Sequence, residues 1–131
     1  MVKSYISNLL VFLTSVCLPV AATAAGGRLV SNPANLKGEY FTNPIVFSDY
    51  SDPDVTASPD GKIFYMTASS FQCAPGLPIL RSTDLVNWEL VNYAIKAVPP
   101  AEVYSTVQHG KGVWAPSIRC HNGEYYIYWG D

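Results

Sequence analysis

Three carboxylates crowd into one short stretch of the chain, Asp49, Asp52 and Asp54, in "SDYSDPDV". Asp52 stands directly before Pro53, whose ring fixes its own φ and restricts the residue ahead of it. Its carboxylate is therefore carried on a stiff piece of backbone, at a point where a β-strand is expected to begin. Strand alternation places Asp52 and Asp54 on one side, with Pro53 between them. A carboxylate held at the mouth of a β scaffold could bind and deprotonate a water. An aspartate capping a turn ahead of a strand would use the same residues, and the local sequence leaves both readings open. A calcium loop fits less well, because the Asp-x-x-Asp-x-Asp spacing lacks the glycine and the distal glutamate of a cation loop.

Two aromatics are placed to meet a neutral ring. Phe71 in "SSFQCAPG" and Trp114 in "GKGVWAPS" each adjoin a Pro- or Gly-bearing loop. Such loops can present a flat apolar face to the C–H surface of a sugar while polar groups on the rim bind its hydroxyls. Burial in the core is the ordinary alternative for both. Trp88, alternating with Leu90, is expected to be buried between β units. His109 lies in a glycine-flanked loop, where solvation is its default. Arg81 and Arg119 are expected to form ion pairs, and Tyr125, Tyr126, Tyr128 and Trp129 to pack along a strand. Cys73 and Cys120 read as two buried thiols. With neither Cys-x-x-Cys nor a His/Cys cluster, the sequence offers no metal site and implies no cofactor.

The elements that must position these residues are short and extended. From Asn43 onward, prolines at 44, 53, 59, 75, 78, 99, 100 and 116 recur too often for long helices. Strands are predicted over Val55–Ala57, Ile63–Ser69, Pro78–Ser82, Trp88–Asn92, Ser117–Cys120 and Tyr125–Trp129. Pro59-Asp60-Gly61 and His121-Asn122-Gly123 supply tight hairpin turns, and Asp84–Asn87 is expected to form one helical turn. The fold class is all-β. A weak repeat pairs "DPDVTASPDGKIFYMTAS" with "APSIRCHNGEYYIYWGD", matching Pro53 to Pro116, Val55 to Ile118 and, after a one-residue adjustment, Gly61 to Gly123. A period of about 60 residues with about four strands per unit points to propeller blades, here one blade and the first two strands of a second.

The chain has 131 residues, room for one small domain. Residues 1–25 read as a signal peptide: Lys3, then the apolar run Leu9–Val20, then Ala22-Thr23-Ala24. The run is too short for a transmembrane helix, so no integral membrane segment is expected after cleavage. Residues 26–42 read as a polar lead-in, and 43–131 as the partial globular domain. Export implies a secreted or periplasmic protein. A formal net charge of -2 leaves no basic stripe to displace counterions from phosphate, which excludes nucleic acid as a partner. Charged residues make up 14% of the chain and aromatics 13%, a balance suited to neutral ring-shaped ligands such as sugars.

Three ordered motifs resemble one family, glycoside hydrolase family 43, the inverting β-xylosidases and α-L-arabinofuranosidases. "NPIVFSDYSDPDV" resembles its opening motif, "SSFQCAPGLPILRSTDLVNWELV" its first-blade hairpin, and "GVWAPSIRCHNGEYYIYWGD" its second-blade entry. The resemblance implies a five-bladed β-propeller acting on xylo- or arabino-oligosaccharides, with Asp52 as general base and Phe71 and Trp114 lining the sugar pocket. Asp54 departs from the serine that the family often carries there. Inversion needs a second carboxyl about 6.5–9.5 Å from the base. The family takes that acid and a pKa-tuning aspartate from later blades, so the sequence reads as an N-terminal part of such an enzyme, inactive alone. A non-catalytic sugar-binding propeller is the alternative reading.

Overall fold

The computed structural model describes residues 27–36 and 40–130. The expected signal peptide lies outside these residues. No helix among them is long and apolar enough to cross a membrane.

The fold is all-β and antiparallel. Strands β1 (Arg28–Leu29), β2 (Asp54–Ala57), β3 (Phe64–Thr67), β4 (Gly76–Ser82) and β5 (Glu89–Ile95) form one sheet in the order β1-β5-β4-β3-β2. Strands β6 (Trp114–His121) and β7 (Glu124–Gly130) form a hairpin of their own. The helix α1 (Ala101–Tyr104) is a single turn in the connection between the sheets.

Every predicted strand is present, most of them longer than the sequence pattern indicated. Both expected hairpin turns form. Asn122 and Gly123 have φ of 51° and 80°, the left-handed pair that a two-residue turn between right-twisted strands demands. The stretch Asp84–Asn87 is not helical. Leu85 has a φ of 64°, and Asp84 Oδ1 accepts the backbone N–H groups of Val86 and Asn87 at 2.9 and 2.7 Å. That side chain supplies the acceptor a helical turn would otherwise have provided.

The polar lead-in contributes to the sheet. Arg28 and Leu29 pair with Leu90 and Glu89 and cover the outer edge of β5, blunting what would otherwise be a template for edge-to-edge association. Ser31 is buried; its hydroxyl accepts the Trp88 N–H and donates to the Val86 carbonyl at 3.1 Å.

Two hydrophobic clusters hold the described residues together. Met66, Leu80 and Trp88 pack with Val30, Val46, Tyr50, Phe64 and Leu90. Trp88 is thus buried under the N-terminal segment on the first sheet, not between the two β units as its alternation with Leu90 indicated. In the second cluster Leu77 and Val113, both fully buried, join Val98, Ile127 and Trp129 across the two sheets. Each such aliphatic side chain contributes roughly 1.5–3 kcal/mol. Tyr65 of β3 meets Tyr125 of β7 edge to face, with ring centroids 4.9 Å apart. Burial, together with Cys120 and Tyr65, pushes the Tyr125 hydroxyl up to about 12.

The cysteines depart from expectation. Both are free, but Cys73 is exposed and Cys120 only half-buried. Cys73 lies in the Pro-Gly loop ahead of β4, which bulges into solvent.

Candidate active site

Asp52 lies outside β2, which begins at Asp54, so strand alternation does not govern its side chain. Its φ is 48°, although a residue preceding proline is normally driven to extended backbone. The conformation persists because its surroundings impose it, and backbone strain of this kind gathers at functional sites. The Ser69 N–H donates to the Ser51 carbonyl at 3.0 Å, and the Ser69 hydroxyl donates to Asp52 Oδ2 at 2.9 Å. Asp52 itself is exposed, while Ser69 behind it is buried.

Asp54 does different work. Its Oδ2 accepts the Ile118 N–H at 2.8 Å, the Ser117 hydroxyl at 3.1 Å and the Arg119 guanidinium. Burial pushes its carboxyl up, but the Ile118 N–H, the Arg119 guanidinium and the Ser117 hydroxyl outweigh that and hold it below the usual carboxylate range. All three donors belong to β6, so Asp54 ties the first strand of one unit to the first strand of the next. The expected Arg119 ion pair is this one, and Arg81 pairs with Glu89 at 2.8 Å.

A short bridge brings the backbones of Phe71 and Trp114 close together. Phe71 and Val113 exchange backbone hydrogen bonds, both of 3.0 Å, which sets Phe71 one residue across from Trp114. Both rings are open, Phe71 at 36% exposure and Trp114 at 49%. Trp114 is steadied at its polar end, where its Nε1–H donates to the Gly110 carbonyl at 2.6 Å. His109, beside Gly110, is exposed.

A register shift in β6 between Trp114 and Ser117 re-aims this corner. Ala115, inside it, has a φ of 37° and donates its N–H to the Ser69 hydroxyl at 2.8 Å. Ser69 thus connects the Asp52 corner to the Trp114 corner, a role that its place in "ASSF" did not reveal. A bulge next to a site is a recurrent means of turning a side chain toward a ligand.

A cavity opens on the first sheet, with Pro53, the residue after Asp52, in its lining. It encloses about 740 Å³ and is lined by residues including Pro44, Ile45, Val46, Tyr50, Met66 and Trp88. No charged side chain lines it, so it is an apolar face of the first sheet and not a place for acid–base chemistry. Among the described residues, no group of three or more His, Cys, Asp or Glu side chains could hold a metal ion.

The sequence model of the glycosyl hydrolases family 43 matches residues 41–131, which contain all of these side chains. The chain belongs to glycosyl hydrolase family 43. Among its relatives, a non-reducing end α-L-arabinofuranosidase of Bacteroides ovatus is 32% identical over 93 residues, 71% of this chain and 17% of the relative. A β-xylosidase of Formosa agariphila is 34% identical over 91 residues, 67% of this chain and 15% of its own length. The crystal structure of the family 43 protein BlXynB of Bacillus licheniformis superimposes with a TM-score of 0.58 at 33% identity, over 68% of this chain and 17% of that one. This family 43 chain therefore spans about a sixth of the relatives that it matches.

Proposed function

We propose that this chain forms the opening part of an exported inverting glycosidase, a five-bladed β-propeller acting on xylo- or arabino-oligosaccharides, with Asp52 as its general base. The observation that carries the reading is a solvent-open carboxylate gripped from behind by a buried serine that also holds Ala115, the residue next to the exposed Trp114. Family membership and relatives named as β-xylosidase and α-L-arabinofuranosidase support it and disfavour a binding-only propeller. The apolar run and A-x-A pattern within residues 1–25 support export to the periplasm or the exterior.

In the reaction, Asp52 accepts a proton from a water as that water's oxygen bonds to the anomeric carbon. The glycosidic C–O bond breaks in the same displacement, and the leaving oxygen is protonated by a general acid from another part of the propeller. Phe71 and Trp114 hold the sugar ring so that its anomeric carbon faces the water. Asp54 stays ionised in its β6 clamp and takes no proton from substrate.

The test is an Asp52→Ala variant in a full-length enzyme carrying this segment, assayed on an aryl β-xyloside and an aryl α-L-arabinofuranoside. Turnover is expected to collapse, and proton NMR of the wild-type reaction to show the inverted anomer first. Undiminished turnover by the variant would remove Asp52 from the mechanism.

A further inference from the structure

The repeat in the sequence has a physical counterpart at the site. Asp52 precedes Pro53 and Ala115 precedes Pro116, and both residues have left-handed backbone, with φ of 48° and 37°. Ser69 lies between these two equivalent corners. Its hydroxyl oxygen accepts the Ala115 N–H at 2.8 Å, and its single proton goes to Asp52 Oδ2 at 2.9 Å. Its own N–H is anchored on the Ser51 carbonyl at 3.0 Å, and the residue is only 7% exposed.

These bonds fix the direction of the relay. A hydroxyl has one proton, and the backbone N–H of Ala115 can only donate, so the proton must point at the carboxylate. Oδ2 is thereby occupied as an acceptor, whereas Oδ1 has no hydrogen-bond partner among the described residues. From this geometry we infer that Ser69 is the positioning residue of Asp52: it locks the carboxyl plane and leaves Oδ1 as the oxygen that takes the proton from water. It also makes the base's orientation depend on the placement of β6, because the Ala115 bulge holds the serine. Ser69 touches no reacting atom and acts only through Asp52. The inference rests on Asp52 being the base.

The experiment compares Ser69→Ala, Ser69→Cys and Ser69→Thr, each alone and the alanine also combined with Asp52→Ala, in a full-length enzyme carrying this segment. Cysteine keeps the volume but donates weakly; threonine keeps the hydroxyl. Misplacing a reacting group by about 1 Å can lower kcat by about 100-fold, so a partial loss of alignment lowers it by about 10- to 100-fold. That loss is expected for Ser69→Ala and Ser69→Cys, with KM within about twofold of wild type, recovery in Ser69→Thr, and no additional loss on the Asp52→Ala background. Unchanged kcat in Ser69→Ala and Ser69→Cys, alongside a dead Asp52→Ala, would refute the positioning role while leaving the base intact. A full further loss on the Asp52→Ala background would refute it too, by placing the action of Ser69 elsewhere. Turnover retained by Asp52→Ala would instead overturn the base assignment itself, and the role of Ser69 with it.

Discussion

Asp54 and Ser117 hold the same place in their respective hairpins, one residue after Pro53 and Pro116, and are hydrogen-bonded to each other at 3.1 Å. The repeat is thus more than a likeness of pattern. Its two copies are joined at equivalent positions, and the join also fixes the distance between Asp52, just upstream of one copy, and the Trp114 corner, just upstream of the other.

Asp54→Ala is expected to loosen that join. Arg119 is 61% exposed, so the ion pair itself contributes little. The Ile118 N–H is the costlier loss, since Ile118 is 1% exposed and its donor would be left unpaired, for a total near ~2 kcal/mol. The pH dependence has a definite sign. The folded-state carboxyl is held below its ordinary value of 3.8, so its stabilisation is fully present above that value and is lost as the pH falls through the folded pKa. Urea denaturation at neutral pH is expected to separate wild type from variant, and the gap to narrow as the pH drops below 3.8. A gap that stays constant into that acidic range would show that the carboxylate's charge does not matter to the join.

The sequence was most informative where local chemistry decides structure. The turn at Asn122-Gly123 and the strands between the prolines follow from residue type and spacing, as does the ion pairing of Arg81, whose partner Glu89 was set only by the β4–β5 register. What escaped was set by distant partners. Leu85 takes a left-handed φ because Asp84 captures the backbone N–H groups that a helical turn would have used. Trp88 is buried under a segment nearly sixty residues upstream, and no periodicity encodes that. Ser69 looked like one serine of a pair; only its bonds to Asp52 and to Ala115, 46 residues on, distinguish it from Ser70.

Gly112 is where the aromatic corner is most sensitive. Its φ is +116°, and a Cβ there would stand 2.4 Å from the Phe71 carbonyl oxygen and 2.6 Å from its carbon. Both obstacles are backbone, so neither can rotate away. Gly112→Ala is expected to break the Phe71–Val113 bridge and to cost about 2–4 kcal/mol, from backbone strain and two lost hydrogen bonds together. Thermal or urea denaturation measures the loss. Gly123→Ala is the control: its φ is +80° but no atom lies within 4 Å of the added carbon, so conformational strain alone applies, at about 1 kcal/mol. Equal losses at the two glycines would mean that the close approach to Phe71 is not what holds the corner.

Trp114 tests whether that corner meets sugar. Its ring is half exposed, yet its Nε1–H is fixed to the Gly110 carbonyl, so the indole is pre-oriented and loses little freedom when a ligand arrives. Stacking a sugar ring on such a face resembles an aromatic pair in magnitude, about 0.5–1.5 kcal/mol beyond area burial. Trp114→Ala, measured in a full-length enzyme carrying this segment, is therefore expected to weaken xylobiose binding by about tenfold once the buried area is included. Calorimetry on the Asp52→Ala background separates binding from turnover. Trp114→Phe, which keeps a face but not the Nε1–H bond, is expected to fall between the two. Ranking wild type, Phe and Ala in that order identifies a stacking platform, whereas identical affinities in all three would assign Trp114 to packing against the Gly110 loop alone.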